Sequence, residues 1–258
     1  MPMPSLFDLT DQVAVITGSS RGIGKSIAHR MAEHGAQVVV SSRKADACDA
    51  AVAKINAAVG REAAVACPAN ISSKDDLRRL ADFALARFGR VTALVLNAAS
   101  NPYFGPMTGI ADEQFVKILM NNVVSNHWLI QMLSPQMLER GQGSIIVISS
   151  IGGLKASTVI GAYNISKAAD LQMVRNYAAE FGPRGVTVNA ICPGLIQTDF
   201  ARALWENPDI LAQATAGSAL KRIGQPDEIA GLAVFLASRA GSFTTGQALV
   251  VDGGATIV

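Results

Sequence analysis

Short apolar runs rich in valine and isoleucine alternate along the whole sequence with segments long enough to form helices, and this alternation restricts the fold most. The runs stay apolar from residue to residue, which is typical of strands buried on both faces. Strands and helices repeated in this order predict a parallel sheet with helices on both sides. The predicted strands are residues 13–17, 37–40, 63–66, 93–96, 144–148, 186–191 and 248–251.

The segments between these runs have helical length, and glycines follow several of them. The predicted helices are residues 24–34, 44–59, 74–88, 112–138 and 163–181. Gly35, Gly60, Gly89 and Gly182 predict left-handed helix ends. No linker or repeat interrupts the pattern, so we predict one domain over residues 1–258. Its fold class is α/β, with a doubly wound parallel sheet of about seven strands and a ligand site at their carboxyl ends.

Composition and charge exclude several classes of function. The net charge is +2 and there is no Lys/Arg-rich block, which gives no electrostatic basis for binding nucleic acid or an acidic membrane. The apolar run at 229–237 is far shorter than the roughly 20 residues of a membrane span. The N-terminal segment does not resemble a signal peptide. Scattered cysteines and histidines predict reduced thiols, no metal site and a cytoplasmic location.

A glycine-rich segment, TGSSRGIG at residues 17–24, separates the first predicted strand from the first helix. Gly18, Gly22 and Gly24 follow the spacing G-x-x-x-G-x-G. Glycines at such a turn let the backbone approach a pyrophosphate, and free N–H groups of the following helix face its negative charge. After the first strand of a doubly wound sheet, this pattern predicts a Rossmann-like dinucleotide site. The alternative is a glycine-rich turn that binds nothing.

The end of the second strand bears on which dinucleotide is bound. An acidic residue at this place usually bonds the ribose hydroxyls of NAD. Here Ser42 takes the place, and Arg43 and Lys44 follow it. A guanidinium can hold a 2′-phosphate bidentately, and Arg21 in the glycine loop could reach the same phosphate. These residues predict NADP(H) in preference to NAD(H). The alternative is that Arg43 and Lys44 are simply solvated at a helix start.

Tyr163 and Lys167 lie four residues apart, so both face the same side of one predicted helix. The pair alone is weak evidence, because an exposed surface pair has the same spacing. Together with five other motifs it resembles the short-chain dehydrogenase/reductase family over nearly the whole chain. Within the family, NAASNPYFGP at 97–106 and PGLIQTDFARALW at 193–205 are similar to the NADPH-dependent carbonyl and retinal reductases. The six motifs are TGSSRGIG (17–24), NAA (97–99), NNV (121–123), ISS (148–150), YNISK (163–167) and PGLIQT (193–198).

The resemblance implies hydride transfer between NADP(H) and a carbonyl compound or secondary alcohol. Tyr163 is expected to donate the proton in reduction and accept it in oxidation. Lys167, together with the positive nicotinamide of the oxidised complex, is expected to lower the pKa of Tyr163 by about 1–3 pH units. Lys167 is also expected to hold the nicotinamide ribose. Ser150 would hydrogen-bond the substrate oxygen. Ser149 is the nearby alternative, but strand alternation turns it away and the family spacing selects Ser150.

Asn122 completes the implied catalytic set by holding a water near the lysine. The alternatives are a helix-bending asparagine satisfied by backbone, and a register in which Asn121 takes that role. Asn70 is expected near the adenine, although many relatives carry aspartate at this place. The implied cofactor-binding residues are Gly18, Ser20, Arg21, Gly22, Ile23, Gly24, Ser42, Arg43, Asn70, Ile71, Asn97, Ala98, Tyr163, Lys167, Pro193, Gly194, Ile196 and Thr198.

A long segment, residues 195–219, is expected to form a lid, because loops of this length in compact domains are often functional. Apolar side chains from this segment and from the loop after the fourth strand are expected to line the substrate pocket: Phe200, Leu204, Trp205, Tyr103 and Phe104. An apolar ketone, aldehyde or vicinal dicarbonyl is therefore the favoured substrate. The alternative for each of these side chains is a place in the core or in a subunit contact.

Two other functions share many of these motifs. A 3-oxoacyl-[acyl-carrier-protein] reductase would need a basic docking surface, for which Arg140 and Arg184 are candidates without forming a dense cluster. A catalytically silent nucleotide-binding protein would have no physical need for the complete catalytic set. The family resemblance also implies a homotetramer built through the helices at 112–138 and 163–181 and the final helix and strand.

Overall fold

The computed structural model describes residues 5–258 apart from the side chain of Ala203, and residues 1–4, with which the predicted domain begins, lie outside the described residues. Seven parallel strands form one sheet in the order β3-β2-β1-β4-β5-β6-β7. From β1 the chain adds β2 and β3 on one side, and from β4 it adds β5, β6 and β7 on the other, so the strand order switches between β1 and β4. The strands are β1 Val13–Thr17, β2 Gln37–Ser41, β3 Ala64–Ala66, β4 Ala93–Leu96, β5 Gly143–Ile148, β6 Val186–Pro193 and β7 Ala248–Val251.

Helices cover both faces of this sheet. Side chains from α1, α2 and α8 share one apolar core, and those from α3, α5 and α6 share the other. In β1, Ala14 and Ile16 belong to the first core and Val15 to the second, which is why its residues are all apolar. The helices are α1 Gly22–Glu33, α2 Ala45–Val59, α3 Lys74–Phe88, α4 Asp112–Leu119, α5 Ser125–Arg140, α6 Gly161–Phe181, α7 Pro208–Ala216 and α8 Pro226–Ala237.

The doubly wound fold predicted from the sequence is confirmed, with two local differences. The helix predicted at 112–138 is divided by a π-helical turn, Met120–Val124, that joins α4 to α5. The extra residue in this turn changes the helical register, so Asn121 and Asn122 are both buried. The left-handed end predicted at Gly182 is wrong, because its φ is −52° and the chain continues in a 3₁₀ turn to a left-handed Gly185 at φ +73°.

The carboxyl ends of all seven strands lie along one edge of the sheet. The switch in strand order between β1 and β4 lies at the middle of this edge. Loops that leave these ends carry most of the predicted site residues. Within residues 5–258, no helix has the length and apolar character needed to cross a bilayer. In the same range, no group of three or more His, Cys, Asp or Glu side chains is arranged to hold a metal ion.

Candidate active site

A large cleft of about 1690 Å³ lies along the carboxyl ends of the strands. It extends from the end of β2, across the glycine loop, to the start of α6 and the segment after β6. A cleft of this volume has room for a dinucleotide together with a small substrate. The predicted residues that line it are Gly18, Ser20, Arg21, Gly22, Ile23, Ser42, Arg43, Asn70, Ile71, Asn97, Ala98, Ser150, Tyr163, Lys167, Pro193, Gly194, Ile196 and Thr198.

The glycine loop has the conformation that its sequence predicts. Gly18 and Gly22 have φ values of +65° and +57°. A Cβ on Gly18 would lie 2.8 Å from Nδ2 of Asn97, and one on Gly22 would lie 3.3 Å from Cγ2 of Thr198. The α1 helix begins at Gly22 without a side-chain cap, which leaves its first N–H groups directed at the cleft edge. The loop therefore fits a bound pyrophosphate.

Asn97 holds this loop in place from the end of β4. Its Nδ2 donates to the carbonyl oxygens of Thr17 and Gly18, at 3.0 Å each. The hydroxyl oxygen of Thr17 in turn accepts the backbone N–H groups of Asn97 and Ala98, at 3.0 and 3.1 Å. Gly24 does not line the cleft, because it packs behind the loop, where a Cβ would lie 2.5 Å from Asn97 Nδ2. Its part in cofactor binding is therefore indirect.

Arg21 does not point where the sequence interpretation placed it. Its Nη1 lies 3.2 Å from Oδ2 of Asp199, on the segment that follows β6. Both side chains are substantially exposed, at 72% and 42%. Arg43 and Lys44 line the other end of the cleft, after β2, and Asp46 lies among them. The ion pair thus holds Arg21 near the predicted nicotinamide end, away from the phosphate that it was expected to share with Arg43.

The loop after β3 supports the adenine end of the cleft. The backbone N–H of Asn70 donates to Oδ2 of Asp76 at 2.9 Å, and its side-chain oxygen accepts the N–H of Ser72 at 3.2 Å. This hydrogen bond from Asn70 helps to hold the pKa of Asp76 below its ordinary value. The Asn70 amide nitrogen remains available on the cleft wall. The contact between Asn70 and the adenine stays a prediction.

The predicted catalytic pair lies on the first turns of α6. The Nζ atom of Lys167 is 5.7 Å from the ring centroid of Tyr163. Lys167 is buried, and its Nζ donates to the carbonyl oxygen of Ile148 at 2.8 Å. Ser150 lines the same cleft wall, and its hydroxyl oxygen accepts the Gly152 N–H at 3.0 Å. The structure therefore brings Tyr163, Lys167 and Ser150 together on one wall of the cleft, and their catalytic roles stay predictions.

The hydroxyl of Ser149 is directed into the protein, where it donates to the carbonyl oxygen of Lys167 at 2.9 Å. This orientation agrees with the choice of Ser150 in preference to Ser149.

The electrostatics of this pair differ from the sequence expectation in one respect. Burial raises the pKa of Tyr163 above its ordinary value, while the charge of Lys167 and the Ser150 side chain act to lower it. Lys167 thus lowers the pKa of Tyr163 as expected, but the sequence analysis omitted the desolvation of the phenol, which outweighs this charge in the unliganded site. The phenol is consequently well suited to donate a proton at neutral pH, and its phenolate is scarce.

The side chain of Asn122 does not reach the cleft. Its Oδ1 accepts the Ser100 N–H at 2.8 Å, and its Nδ2 donates to the Ser100 carbonyl and the Ser166 hydroxyl at 3.0 Å each. The side chain is thus satisfied inside the protein, as the helix-bending alternative anticipated. Asn121, the alternative in register, lines the cleft and bonds Ser72 and Ser100. A catalytic part for Asn122 therefore stays a prediction.

The substrate side of the cleft is only partly as predicted. Phe200 and Leu204 line it, and the Phe200 ring lies 6.0 Å from the Tyr163 ring. Tyr103 and Phe104 do not line the cleft, and the Tyr103 hydroxyl donates to the Pro106 carbonyl at 2.8 Å. Trp205 lies outside it as well.

The Trp205 indole N–H donates to the Thr198 carbonyl at 2.8 Å, so this side chain supports the wall without forming part of it. The predicted lid, residues 195–219, contains a 3₁₀ turn, Asp199–Leu204, and α7.

Two structural features next to the cleft escaped the sequence interpretation. Thr17 binds the loop after β4 through its hydroxyl, and a threonine at the end of an apolar run could have indicated this. Asp170 forms an ion pair with Lys167 at 3.0 Å inside the protein. A carboxylate three residues after a lysine in a mostly apolar helix is a signal that sequence alone offers, but the spacing is equally common on helix surfaces.

Comparisons with known proteins agree with this geometry. A family model described as enoyl-(acyl carrier protein) reductase matches residues 18–256. Dehydrogenase/reductase SDR family member 4 of Mus musculus is 38% identical over 249 residues, which are 95% of this chain and 88% of the relative. The protein of the same name from Homo sapiens is 37% identical over 246 residues, with the same coverage.

Solved structures extend the likeness to the whole fold. A 7α-hydroxysteroid dehydrogenase complexed with NADH and 7-oxo glycochenodeoxycholic acid has a TM-score of 0.92, is 37% identical and is covered over 98% of both chains. A gluconate 5-dehydrogenase from Burkholderia cenocepacia, in complex with NADP and tartrate, has a TM-score of 0.92 at 30% identity and the same coverage. Fold and relatives together define an oxidoreductase. The chain belongs to the short-chain dehydrogenase/reductase family.

Proposed function

We propose that this protein transfers a hydride between NADP(H) and an apolar ketone, aldehyde or dicarbonyl compound, or the corresponding alcohol. The observation that carries the proposal is the meeting of Tyr163, Lys167 and Ser150 on the wall of a cleft whose other end is the glycine loop. A nucleotide-binding protein without chemistry would need the loop but not a phenol beside a buried ammonium.

In this proposal, the residues around the reacting atoms each have a defined role. The nicotinamide supplies or accepts the hydride when it is bound. Tyr163 donates a proton to the substrate oxygen in reduction and removes it from the alcohol in oxidation. Lys167 favours the phenolate through its positive charge, and the Ser150 hydroxyl orients the substrate oxygen. The backbone of Ile196 and the hydroxyl of Thr198 are the proposed partners of the cofactor's carboxamide.

The preference for NADP(H) rests on the end of β2. Ser42, Arg43 and Lys44 lie on the cleft wall there, so two cations are available to a 2′-phosphate. Asp46 on the first turn of α2 opposes them in part. The solved relatives carry NADH in one case and NADP in another, so the preference is argued from these side chains alone.

The two arginines suggested as a docking surface for an acyl carrier protein, Arg140 and Arg184, do not lie beside the cleft. Arg140 donates to the carbonyl oxygen of Val91 at 2.9 Å, and Arg184 donates to that of Leu138 at 2.8 Å. Val91 precedes β4, and Leu138 lies on the last turn of α5, before β5. Both guanidinium groups therefore lie at the amino ends of the strands, on the edge of the sheet opposite the cleft.

The test is a substrate panel with each cofactor. Oxidation of NADPH with aromatic diketones, apolar ketones, aldehydes and 3-oxoacyl thioesters is followed by absorbance, and NADH is run in parallel. We expect turnover of the diketones with NADPH, at least about tenfold greater kcat/KM than with NADH, and no turnover of the thioesters. Tyr163→Phe is the control that assigns the turnover to this site. Turnover of thioesters alone, or of no carbonyl compound at all, would overturn the proposal.

We also propose that the protein forms a homotetramer, as the family resemblance implies. Phe243 is fully exposed close to β7, which is an edge strand, and Ile257 and Val258 are exposed at the C-terminus. Light scattering of the purified protein is expected to give four times the chain mass of 26.9 kDa. A monomer at micromolar concentration would contradict it.

A further inference from the structure

A buried carboxylate lies next to the predicted catalytic lysine. Asp170 follows Lys167 by one turn of α6, and its Oδ2 accepts a hydrogen bond from Lys167 Nζ at 3.0 Å. The two side chains are 0% and 2% exposed. Neither the motifs nor the proposed chemistry uses Asp170.

This carboxylate is also held from a second helix. The Nδ2 atom of Asn126, on α5, donates to Oδ1 of Asp170 at 3.2 Å and to the carbonyl oxygen of Asn122 at 2.6 Å. Asn122 lies in the π-helical turn. The lysine, the carboxylate and the turn are therefore connected by direct hydrogen bonds, with both carboxylate oxygens occupied.

Stability alone gives a weak reason for such an arrangement. Apolar side chains of similar size often replace a buried ion pair without loss of stability, because desolvation of the two charges offsets their attraction. The neighbouring helix positions Leu171 and Val174 are buried apolar residues. The presence of a charged pair among apolar neighbours therefore points to a role of the pair at the candidate active site.

We propose that Asp170 is a positioning residue that keeps Lys167 cationic and fixes its ammonium beside Tyr163. This inference rests on the oxidoreductase function proposed above and adds a residue to its machinery.

The surrounding charges define the effect of removing the carboxylate. Burial alone would lower the pKa of Lys167, but the charges of Asp170 and Tyr163 outweigh it and raise the pKa. On β6, burial raises the pKa of Cys192 to about 11, so its thiol is uncharged at neutral pH. From α5 and β5, the groups that contact the pair are the uncharged Asn126 amide and the Ile148 carbonyl.

Without Asp170, burial would dominate and Lys167 would lose its proton at lower pH. Tyr163 would then titrate beside a neutral amine. Loss of the ammonium raises the pKa of Tyr163, and loss of the carboxylate lowers it. The first effect is the larger, because Lys167 acts on Tyr163 more strongly than Asp170 does. The titration of Tyr163 should therefore move to higher pH.

Direct titration of the phenol tests this in the unliganded protein. The chain has 3 tyrosines, so absorbance at 295 nm resolves Tyr163 as the difference from Tyr163→Phe. In Asp170→Asn we expect this titration to move up by about one pH unit or more. The kcat of alcohol oxidation should fall about tenfold, because less phenolate forms beside an ammonium.

Two variants separate charge from structure. Asn126→Ala removes a buried hydrogen bond to Asp170 but keeps the carboxylate, and its Tyr163 titration should stay within about 0.3 pH units of wild type. Glu62→Gln, like Asp170→Asn, replaces a carboxylate by its amide, but in an exposed pair with Arg87. It should alter neither the Tyr163 titration nor the kcat of alcohol oxidation. An unshifted Tyr163 titration in a folded Asp170→Asn protein would overturn the proposal.

Folding is checked first by circular dichroism and thermal melting. If Asp170→Asn does not fold, Asp170→Ser is titrated in its place. Failure of both variants to fold, with Asn126→Ala folded, would assign Asp170 a structural role and also overturn the proposal. Absence of turnover in the wild-type protein would refute the proposed function but leave the titration result standing, so the two failures are distinguishable.

Discussion

Replacing Gly18 by alanine should damage the cofactor site through a steric effect that the structure defines. The residue has a φ of +65°, and an added Cβ would lie 2.8 Å from Asn97 Nδ2 and 3.0 Å from the backbone Cα of Ala98. A non-glycine residue in this left-handed region costs about 1–2 kcal/mol. Relief of the two close contacts adds about 1–3 kcal/mol, because they involve a backbone atom and an amide held by two hydrogen bonds.

Gly60 provides a matched control for this substitution. It ends α2 with a φ of +68°, and an added Cβ would meet no atom within 4 Å. Gly60→Ala should therefore show the backbone cost alone, about 1–2 kcal/mol. Since about 1 kcal/mol lowers Tm by roughly 2–4 °C in a protein of this size, we expect a loss of roughly 2–8 °C for Gly60→Ala and roughly 4–20 °C for Gly18→Ala.

The assay combines thermal melting with NADPH binding by fluorescence. Gly18→Ala should weaken NADPH at least about tenfold, because the loop that faces the pyrophosphate must move. Gly60→Ala should leave the Kd within about twofold, since α2 ends shortly before β3, on the edge of the sheet opposite the loop. Equal losses of Tm in the two variants, or unchanged NADPH affinity in Gly18→Ala, would refute the reasoning that the loop is shaped by close approach to its neighbours.

Four further predictions concern the Tyr163 phenol and the charges around the cleft. Tyr163→Phe should reduce turnover by about a thousandfold with little change in NADPH binding, measured by steady-state kinetics and titration. In the wild type, the raised pKa of Tyr163 means that phenolate becomes more abundant as pH rises. Alcohol oxidation should therefore accelerate between about pH 7 and pH 10, and carbonyl reduction should not; a flat oxidation profile would contradict this. Arg43→Ala combined with Lys44→Ala should lower kcat/KM with NADPH by about tenfold to a hundredfold and leave NADH within about threefold; equal losses with both cofactors would speak against a phosphate site. Asp199→Ala should leave Tm within about 2 °C, because the pair with Arg21 is exposed, and a larger loss would show that the pair has a structural role.

The central strands were predictable because they are buried on both sides. Alternate residues of β1 enter different cores, so the run had to be apolar throughout, and that pattern is visible without a structure. The π-helical turn at Met120–Val124 was not predictable in the same way. The turn places Asn122 against α6, where its Nδ2 donates to the Ser166 hydroxyl at 3.0 Å. That contact joins two elements that are well separated in the chain, and no local pattern encodes it.

At the candidate active site, the directions of the side chains limited what could be predicted from the sequence. The motifs located Tyr163 and Lys167 on one wall, because helical spacing determines a common face. Sequence could not show that Arg21 turns toward Asp199, since the two residues are far apart in the chain and meet only when the segment after β6 folds over the glycine loop. The effect of burial on the Tyr163 pKa was missed for a related reason. Desolvation depends on everything packed around the ring, whereas the charge of Lys167 could be inferred from spacing alone.

The two halves of the cleft are built on different principles, and this explains why the cofactor is easier to infer than the substrate. The nucleotide half consists of backbone braced by Thr17 and Asn97, so a short motif specifies it. The substrate half is formed by side chains such as Phe200 and Leu204, which are 57% and 43% exposed on a 3₁₀ turn. Such side chains make few contacts that restrict their identity. Replacing Phe200 and Leu204 by alanine should therefore change the ranking of carbonyl substrates while NADPH affinity changes less than about threefold. A parallel loss of cofactor binding would show that the two halves are coupled.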